Sequence, residues 1–230
     1  MIEDLKLRIL HIFFPNKCAS CKRIIKYNSL FCSECEVNFE KTAGKRCKTC
    51  FSLEGKCDCK RFPKFFFRSA STFLYKDSAK NALLTLKKVK NKRLARFFAE
   101  EMYLTVINKY KDVRFDAIIP VPLHKSREKS RGYNQSLLIA NELSAMMKVP
   151  VMADVLTRLK AAKPQHTLNH KQRRQNVKGI YKASSIPIEC QRVLLVDDIM
   201  TSSATLNECA KMLRLEGVTK IYCITAAKAE

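Results

Sequence analysis

The order of apolar and polar residues divides the chain into a cysteine-rich beginning and a longer α/β remainder. Predicted strands occur at 115–122, 192–198 and 220–229, and the strand at 192–198 has no polar alternation, as is typical of parallel strands buried on both faces. Helical periodicity occurs at 75–111, with a break near Asn91, at 134–148 and at 203–217. Strands that alternate with helices predict an open, mostly parallel sheet with flanking helices, in which ligands bind at the carboxyl ends of strands.

One of these strand ends combines adjacent carboxylates with a hydroxyl-rich loop. In the segment VLLVDDIMTSSAT, residues 193–205, Asp197 and Asp198 follow four apolar residues directly, and a predicted helix follows the loop. The free N–H groups of a helix N-terminus, together with Thr and Ser side chains, make an anion site. Two adjacent carboxylates can accept from the cis hydroxyls of a ribose and can orient Mg2+ on a phosphorylated sugar. The alternative assigns both aspartates to helix capping and magnesium alone.

Most of the 11 cysteines lie in the first 59 residues, and their spacing is typical of zinc ligands. The ligand candidates are Cys18, Cys21, Cys32, Cys35, Cys47, Cys50, Cys57 and Cys59. Two C-x2-C knuckles close a tetrahedral site, so pairing in sequence order predicts a structural zinc in the first group of four and a second zinc in the next. A single zinc, or interleaved ligation of the first pair with the third, is the alternative. We predict a zinc-ribbon domain with an N-terminal helix at 1–62 and the α/β domain at 63–230.

The chain is strongly basic, with 44 Lys and Arg against 21 Asp and Glu and a formal net charge of +23. Such a charge attracts phosphate-bearing ligands and nucleic acid. No apolar run approaches the roughly 18 residues that a membrane span needs. The segment MIEDLKLRILHIFF at 1–14 predicts an amphipathic helix that packs on the body or contacts a membrane surface or a partner. It lacks the features of a secretory signal, which implies a cytosolic protein.

A long basic segment without any acid runs from residue 155 to residue 188. Because Arg forks match phosphate oxygens, we expect it to form a flap over pyrophosphate or over nucleic-acid phosphates. A solvated loop and helix is the alternative interpretation. Arg127 and Arg131 follow the strand at 115–122 and are placed to face the same pocket.

The segment VLLVDDIMTSSAT resembles the phosphoribosyl-pyrophosphate (PRPP) motif of type I phosphoribosyltransferases. The resemblance implies that Asp197 and Asp198 bind the ribose hydroxyls, that Mg2+ accompanies PRPP, and that the next loop cradles the 5′-phosphate. The loop residues implied are Thr201, Ser202, Ser203, Ala204 and Thr205. The chain has Ser203 where that family usually has glycine, which tolerates backbone conformations that serine resists.

Two further segments, IIPVPLHKSREKSRGYNQSLLIA and TRLKAAKPQHTLNHKQRRQNVKGIY, are similar to signatures of the ComF family of bacterial competence proteins. Together with the cysteine-rich head and the PRPP-like loop, this resemblance covers nearly the whole chain. It implies that the pyrophosphate or nucleic-acid contacts come from Arg127, Arg131, Asn134, Gln135, Gln165, Arg173 and Asn176. No nucleophilic or acid–base set is evident, so no catalytic residue is assigned.

Membership of that family would imply a role in natural transformation. The chain would handle incoming single-stranded DNA in the cytoplasm and bind PRPP. Other DNA-uptake or competence proteins would be its partners, and the inner face of the membrane an alternative location. The alternative function is an active phosphoribosyltransferase that moves the phosphoribosyl group from PRPP to an unknown acceptor.

Overall fold

The structure is a computed structural model that describes residues 14–57, 59–160 and 177–230. The predicted N-terminal helix therefore lies almost wholly outside the described residues, as does part of the basic segment. Within the described ranges, no helix is both long enough and apolar enough to cross a bilayer.

A sheet of parallel strands forms the centre of the α/β domain. The described strands are β1 (Arg68–Leu74), β2 (Ala117–Pro120), β3 (Leu156–Arg158), β4 (Tyr181–Ala183), β5 (Arg192–Met200) and β6 (Lys220–Lys228). The sheet has the order β1-β6-β5-β2 with every neighbouring pair parallel, while β3 and β4 pair antiparallel in a separate ribbon. Val151 continues the sheet beyond β2 through a parallel bridge to Ile118.

Helices cover both faces of this sheet. α1 (Ser33–Val37) lies in the head, and the helices of the α/β domain are α2 (Asp77–Lys88), α3 (Lys92–Lys109), α4 (Lys125–Arg131), α5 (Gln135–Met147) and α6 (Ala204–Leu215). α3 packs on β1 and β6 and against α5, whereas α6 packs on β5 and on the β3–β4 ribbon. The connection from β1 to β2 crosses the sheet in the opposite direction to the connection from β5 to β6. Right-handed crossovers therefore place α2 and α3 on one face and α6 on the other.

The predicted fold class is confirmed, whereas β1, the β3–β4 ribbon, α1 and α4 were not predicted from the sequence. The break near Asn91 separates α2 from α3, where the Asn91 side chain accepts a hydrogen bond from Leu94 N and caps α3. Strand β1 was not predicted, because its buried positions are largely hydroxyl residues instead of an apolar run. Ser69 Oγ donates to Thr49 O at 2.6 Å, so burial of this hydroxyl leaves no unpaired donor. Strand β5 extends to Met200, beyond its predicted end at 198.

The cysteine-rich head packs directly against the α/β domain. Phe31 and Phe39 of the head form a cluster of aromatic rings with Phe73 of β1 and Phe97 of α3, with ring centroids 4.8–5.1 Å apart for Phe31–Phe39, Phe31–Phe97 and Phe39–Phe73. Thr42 N also donates to Thr72 O at 2.9 Å, which ties the head to β1. The head and the sheet thus share one apolar core. The boundary at 62–63 stays a prediction.

Candidate functional site

A cavity opens where two neighbouring strands of the sheet end at different points. β5 stays paired with β6 as far as Met200, but its pairing with β2 stops at Val196 opposite Pro120. Proline has no N–H to donate, and Pro122 follows two residues later, so β2 cannot extend the ladder. The last residues of β5 therefore have a strand on one side only. On the other side they border a cavity of about 450 Å³, which we call the β5 cavity.

The β5 cavity brings together two carboxylates and four cationic side chains. Asp197 and Asp198 come from β5. The cations come from separate parts of the fold and are Lys87, Arg127, Arg131 and Arg158. The other polar side chains that line the cavity are Tyr75, Gln135, Tyr181, Thr201 and Thr205. A cavity that is lined by both carboxylates and cationic side chains suits a ligand that combines hydroxyl groups with phosphates.

The two aspartates are held by different partners. Asp197 Oδ1 accepts from Ser136 Oγ at 3.0 Å and from Asp198 N at 2.9 Å. Asp198 Oδ1 accepts from Ile199 N at 2.9 Å, and its Oδ2 lies 2.8 Å from Lys87 Nζ. Both carboxylates are nearly buried, at 8% and 6% exposure.

This difference in partners separates the pKa values of the pair. Burial, with the nearby charge of Asp198 as a second cause, raises the pKa of Asp197 well above its ordinary value. Burial also opposes ionisation of Asp198, but the Lys87 ammonium outweighs it and holds the pKa of Asp198 below its ordinary value. Asp198 is therefore the carboxylate that keeps its charge, and Asp197 is the first of the two to take up a proton as the pH falls.

Lys87 is a residue of the cavity that the sequence interpretation missed. It lies near the end of α2, four residues after Leu83, which is fully buried. Residues four apart share a helix face, so a lysine in register with the apolar stripe was the available signal. Its position in a lysine-rich run, LKKVKNK, concealed that signal.

The predicted phosphate loop leads directly into α6. Ser203 is the N-cap of α6 and lies in the left-handed region, with φ 57° and ψ 8°. Its side chain makes no capping hydrogen bond, so the first amides of α6 are not capped by it. Ser202 Oγ is buried and has no hydrogen-bond partner among the described residues. Thr201 and Thr205 line the cavity, while Ser202, Ser203 and Ala204 lie between them in the chain.

The structure separates the predicted contact residues into three groups. Arg127, Arg131 and Gln135 line the β5 cavity, and the Arg131 guanidinium contacts Gln135 Oε1. Asn134 is buried behind them, where it caps α5 by accepting from Ser136 N and donates to Val121 O at 3.0 Å. Asn134 thus fixes the end of β2 to the start of α5. The remaining predicted residues, Gln165, Arg173 and Asn176, lie outside the described residues.

The eight head cysteines gather in two groups of four, in sequence order. One group is Cys18, Cys21, Cys32 and Cys35, and the other is Cys47, Cys50, Cys57 and Cys59. Within each group, all Sγ atoms lie within 4.8 Å of one another. Three of the separations are 3.7 Å for Cys21–Cys32, 3.9 Å for Cys47–Cys59 and 3.6 Å for Cys50–Cys57. A tetrahedral zinc with bonds of about 2.3 Å would place its sulfur ligands about 3.8 Å apart. Both groups therefore fit a zinc ion.

Fold and site together define a class of protein: an open α/β domain with a polar cavity at its strand ends, joined to a head with two groups of four cysteines. No protein-family model matches the sequence. The chain is 30% identical over 225 residues to Competence protein F of Haemophilus influenzae, which covers 96% of this chain and 93% of that protein. The chain belongs to the ComF family of competence proteins.

Other relatives carry related names. Competence protein ComFC of Bacillus subtilis is 26% identical over 204 residues, covering 84% of this chain and 82% of that protein. The DNA utilization protein YhgH of Escherichia coli K12 is 31% identical over 111 residues, covering 47% of this chain and 48% of that protein.

Two solved structures overlap this chain in part. A purine phosphoribosyltransferase from Pyrococcus horikoshii has a TM-score of 0.33 and 16% identity, covering 57% of this chain and 83% of that chain. The UMP synthase of Leishmania donovani has a TM-score of 0.37 and 17% identity, covering 67% of this chain and 24% of that chain. At these scores neither overlap bears on the site, whose description rests on the geometry of the β5 cavity.

Proposed function

We propose that the chain binds PRPP with Mg2+ in the β5 cavity and handles single-stranded DNA in the cytoplasm during natural transformation. One observation carries the proposal: the buried pair Asp197 and Asp198 faces several cationic side chains at the carboxyl end of a parallel strand. That edge is where open α/β sheets bind their ligands. The carboxylates would accept from the ribose hydroxyls, and the guanidinium groups of Arg127 and Arg131 would bind pyrophosphate oxygens.

The loop after β5 supports a place for the 5′-phosphate. The unpaired buried Ser202 Oγ and the start of α6 supply donors that a phosphate oxygen would satisfy. Mg2+, when bound, neutralises phosphate charge, and carboxylate oxygens are among the ligands that it prefers. Lys87 already neutralises Asp198, so a metal at this carboxylate would compete with the lysine ammonium.

The DNA role is supported by charge and by the names of relatives. The net charge of +23 favours a polyanion partner. The relatives are named for competence and for DNA utilization. We further propose that both cysteine groups hold structural zinc, that other DNA-uptake proteins are partners, and that the inner face of the membrane is an alternative location.

Calorimetric titration of PRPP with Mg2+ tests the cavity. We expect micromolar binding to the wild type and its loss in Asp197→Asn/Asp198→Asn. The matched control is Asp112→Asn/Asp154→Asn, which removes the same charge from exposed positions and should bind as the wild type does. Equal affinities for the two double variants would contradict the proposed site.

The same preparation addresses the alternative function. A transferase must activate an acceptor, and a histidine would be a common base for that step. No histidine is among the described residues that line the cavity, and His124 instead caps α4 by accepting from Ser126 N. Pyrophosphate release from PRPP in the presence of nucleobases or amines would favour transfer; PRPP binding without release would favour a binding role alone.

A further inference from the structure

A second cavity lies between the head and the opposite edge of the sheet. We call it the junction cleft; its volume is about 330 Å³. Its wall contains Arg46 and Lys48 from the head, Arg68 at the start of β1, and Lys109 at the end of α3. The cleft lies beside the first residues of β1, whereas the β5 cavity lies at the carboxyl end of β5.

The junction cleft is cationic and has no acidic side chain among its described lining residues. Arg46 is a fixed part of the wall, because its Nη1 lies 2.6 Å from Glu230 Oε1 and its guanidinium lies over the Phe51 ring. Among the described residues, Lys48, Arg68 and Lys109 have no carboxylate within ion-pair distance. Three cations without counter-charge around one cavity favour an anionic ligand.

An exposed aromatic ring, Phe67, stands beside one of these cations, and Phe65 lies two residues before it in the chain. Phe67 is 45% exposed, although its edge packs on Tyr222 with centroids 5.5 Å apart. The Arg68 guanidinium lies 5.4 Å from the Phe67 centroid and so connects this ring to the cleft. Phe65 is 42% exposed, and its backbone is anchored from both sides by Asn207 Oδ1 and Arg214 Nε. The rings are therefore presented to solvent on a segment whose backbone is fixed.

We propose that the junction cleft, with Phe65 and Phe67, is the surface that binds single-stranded nucleic acid. Cations that follow a backbone and aromatic faces that stack bases are the two components of such surfaces. Stacking on a ring requires an unpaired base, so this surface favours a single strand over a duplex. The inference rests on the proposed DNA role and adds to it the face of the molecule that performs it.

The chain has no tryptophan, so a single substitution places a fluorescent reporter in the surface. Phe67→Trp should lose at least a third of its emission on binding an oligothymidylate of about 20 nucleotides, because a stacked base quenches indole. A self-complementary duplex of equal length should quench it much less. Leu84→Trp is the matched control, since Leu84 is similarly exposed, at 39%, but lies on α2.

Charge removal tests the cleft independently. Lys48→Ala/Lys109→Ala should weaken oligothymidylate binding about tenfold at low salt and reduce the salt slope by about 1.4, because each phosphate contact on a single strand contributes about 0.7. The control Lys80→Ala/Lys92→Ala removes the same charge from exposed positions at the starts of α2 and α3. It should weaken binding less than about threefold.

The two kinds of failure are distinguishable. If oligothymidylate binds the wild type but leaves the emission of the Phe67→Trp variant unchanged, or if both lysine pairs have equal effects, the junction cleft is the wrong surface and the DNA role stands. If the wild type binds no oligothymidylate at low salt, the surface and the DNA role are both wrong. Neither result affects the titration of PRPP into the β5 cavity.

Discussion

At the scale of single residues, Asp197 and Asp198 are adjacent in sequence but differ in what compensates their burial. Asp198 has a lysine ammonium at 2.8 Å, whereas Asp197 has only hydrogen-bond donors, the nearer being Asp198 N at 2.9 Å. A buried charge with a partner is stable, and one without a partner is costly. The pair therefore maintains its arrangement at a cost in stability, which is common at binding sites.

Removing the Lys87 ammonium should leave the Asp198 carboxylate buried without a charged partner and so lower the stability of the fold. We expect Lys87→Met to lower the free energy of unfolding by about 2 kcal/mol, below the roughly 3–5 kcal/mol of fully buried pairs because a quarter of the lysine side chain is exposed. Urea denaturation at pH 7 measures the change. The double variant Lys87→Met/Asp198→Asn, which leaves no charge unpaired, should recover at least half of the loss. Additive losses in the double variant would contradict the ion-pair explanation.

Replacing Asp197 should raise the free energy of unfolding, whereas replacing Lys87 lowers it, and the gain should depend on pH. The unfolded chain releases this proton near pH 3.8, while the folded chain holds it to a higher pH, so stability falls as the pH rises through the folded pKa. Asn in its place keeps an oxygen that can accept from Ser136 Oγ and Asp198 N but has no proton to lose. We expect the stability advantage of Asp197→Asn over the wild type to grow as the pH rises above about 3.8, by on the order of 1 kcal/mol. A gain that does not change with pH would contradict this assignment.

Ser203 carries backbone strain that glycine would relieve. A non-glycine residue in the left-handed region costs about 1–2 kcal/mol, and Ser203 has φ 57°. Allowing for the greater chain entropy of glycine, we expect Ser203→Gly to raise the free energy of unfolding by about 0.5–1 kcal/mol. PRPP should bind at least as tightly as to the wild type. Thermal unfolding measures the change in stability. Ala204→Gly, the next residue and the first of α6, should gain no stability in the same measurement. Equal gains for the two variants would rule out strain relief at Ser203.

At the scale of elements, each group of four cysteines should behave as one metal site. We expect two zinc ions per chain by elemental analysis, one fewer in Cys35→Ser and one fewer in Cys50→Ser. Cys209→Ser is the control, because Cys209 is buried in the α/β domain away from both groups, and it should keep both ions. Zinc binding supplies about 10–16 kcal/mol of apparent free energy in model fingers, so each loss should make the head sensitive to protease. A single zinc in the wild type would contradict the prediction.

Whether an element can be predicted from the sequence depends on whether the interactions that stabilise it leave a pattern in the sequence. β5 and β6 are apolar runs, and the cysteine spacing is a regular pattern, so all three could be found from the sequence. β1 could not, because hydrogen bonds such as Ser69 Oγ to Thr49 O replace apolar burial there. Asp197 and Asp198 belong to a local motif, whereas Lys87 reaches Asp198 from a distant part of the chain. Only the tertiary fold reveals such a contact.

At the scale of the whole molecule, the two proposed binding surfaces lie beside different strands of one sheet, the junction cleft at the start of β1 and the β5 cavity at the carboxyl end of β5. The strands between them are buried. Residues 193–196 of β5 and 221–224 of β6 are fully buried, except that Tyr222 is 5% exposed. Coupling between sites requires an element with two arrangements that both ligands bias, and a close-packed sheet is a poor candidate.

We therefore expect PRPP and single-stranded DNA to bind independently. Calorimetric titration of PRPP with Mg2+ should give affinities within about twofold, or about 0.4 kcal/mol, with and without saturating oligothymidylate. The Lys48→Ala/Lys109→Ala variant serves as the control, since any effect of DNA in the junction cleft on its PRPP affinity should need about tenfold more oligonucleotide. A shift of about tenfold or more in the wild type would contradict independence. It would mean that DNA extends from the junction cleft to the β5 cavity or moves an element shared by both, and the phosphoribosyl ligand would then regulate DNA binding instead of accompanying it.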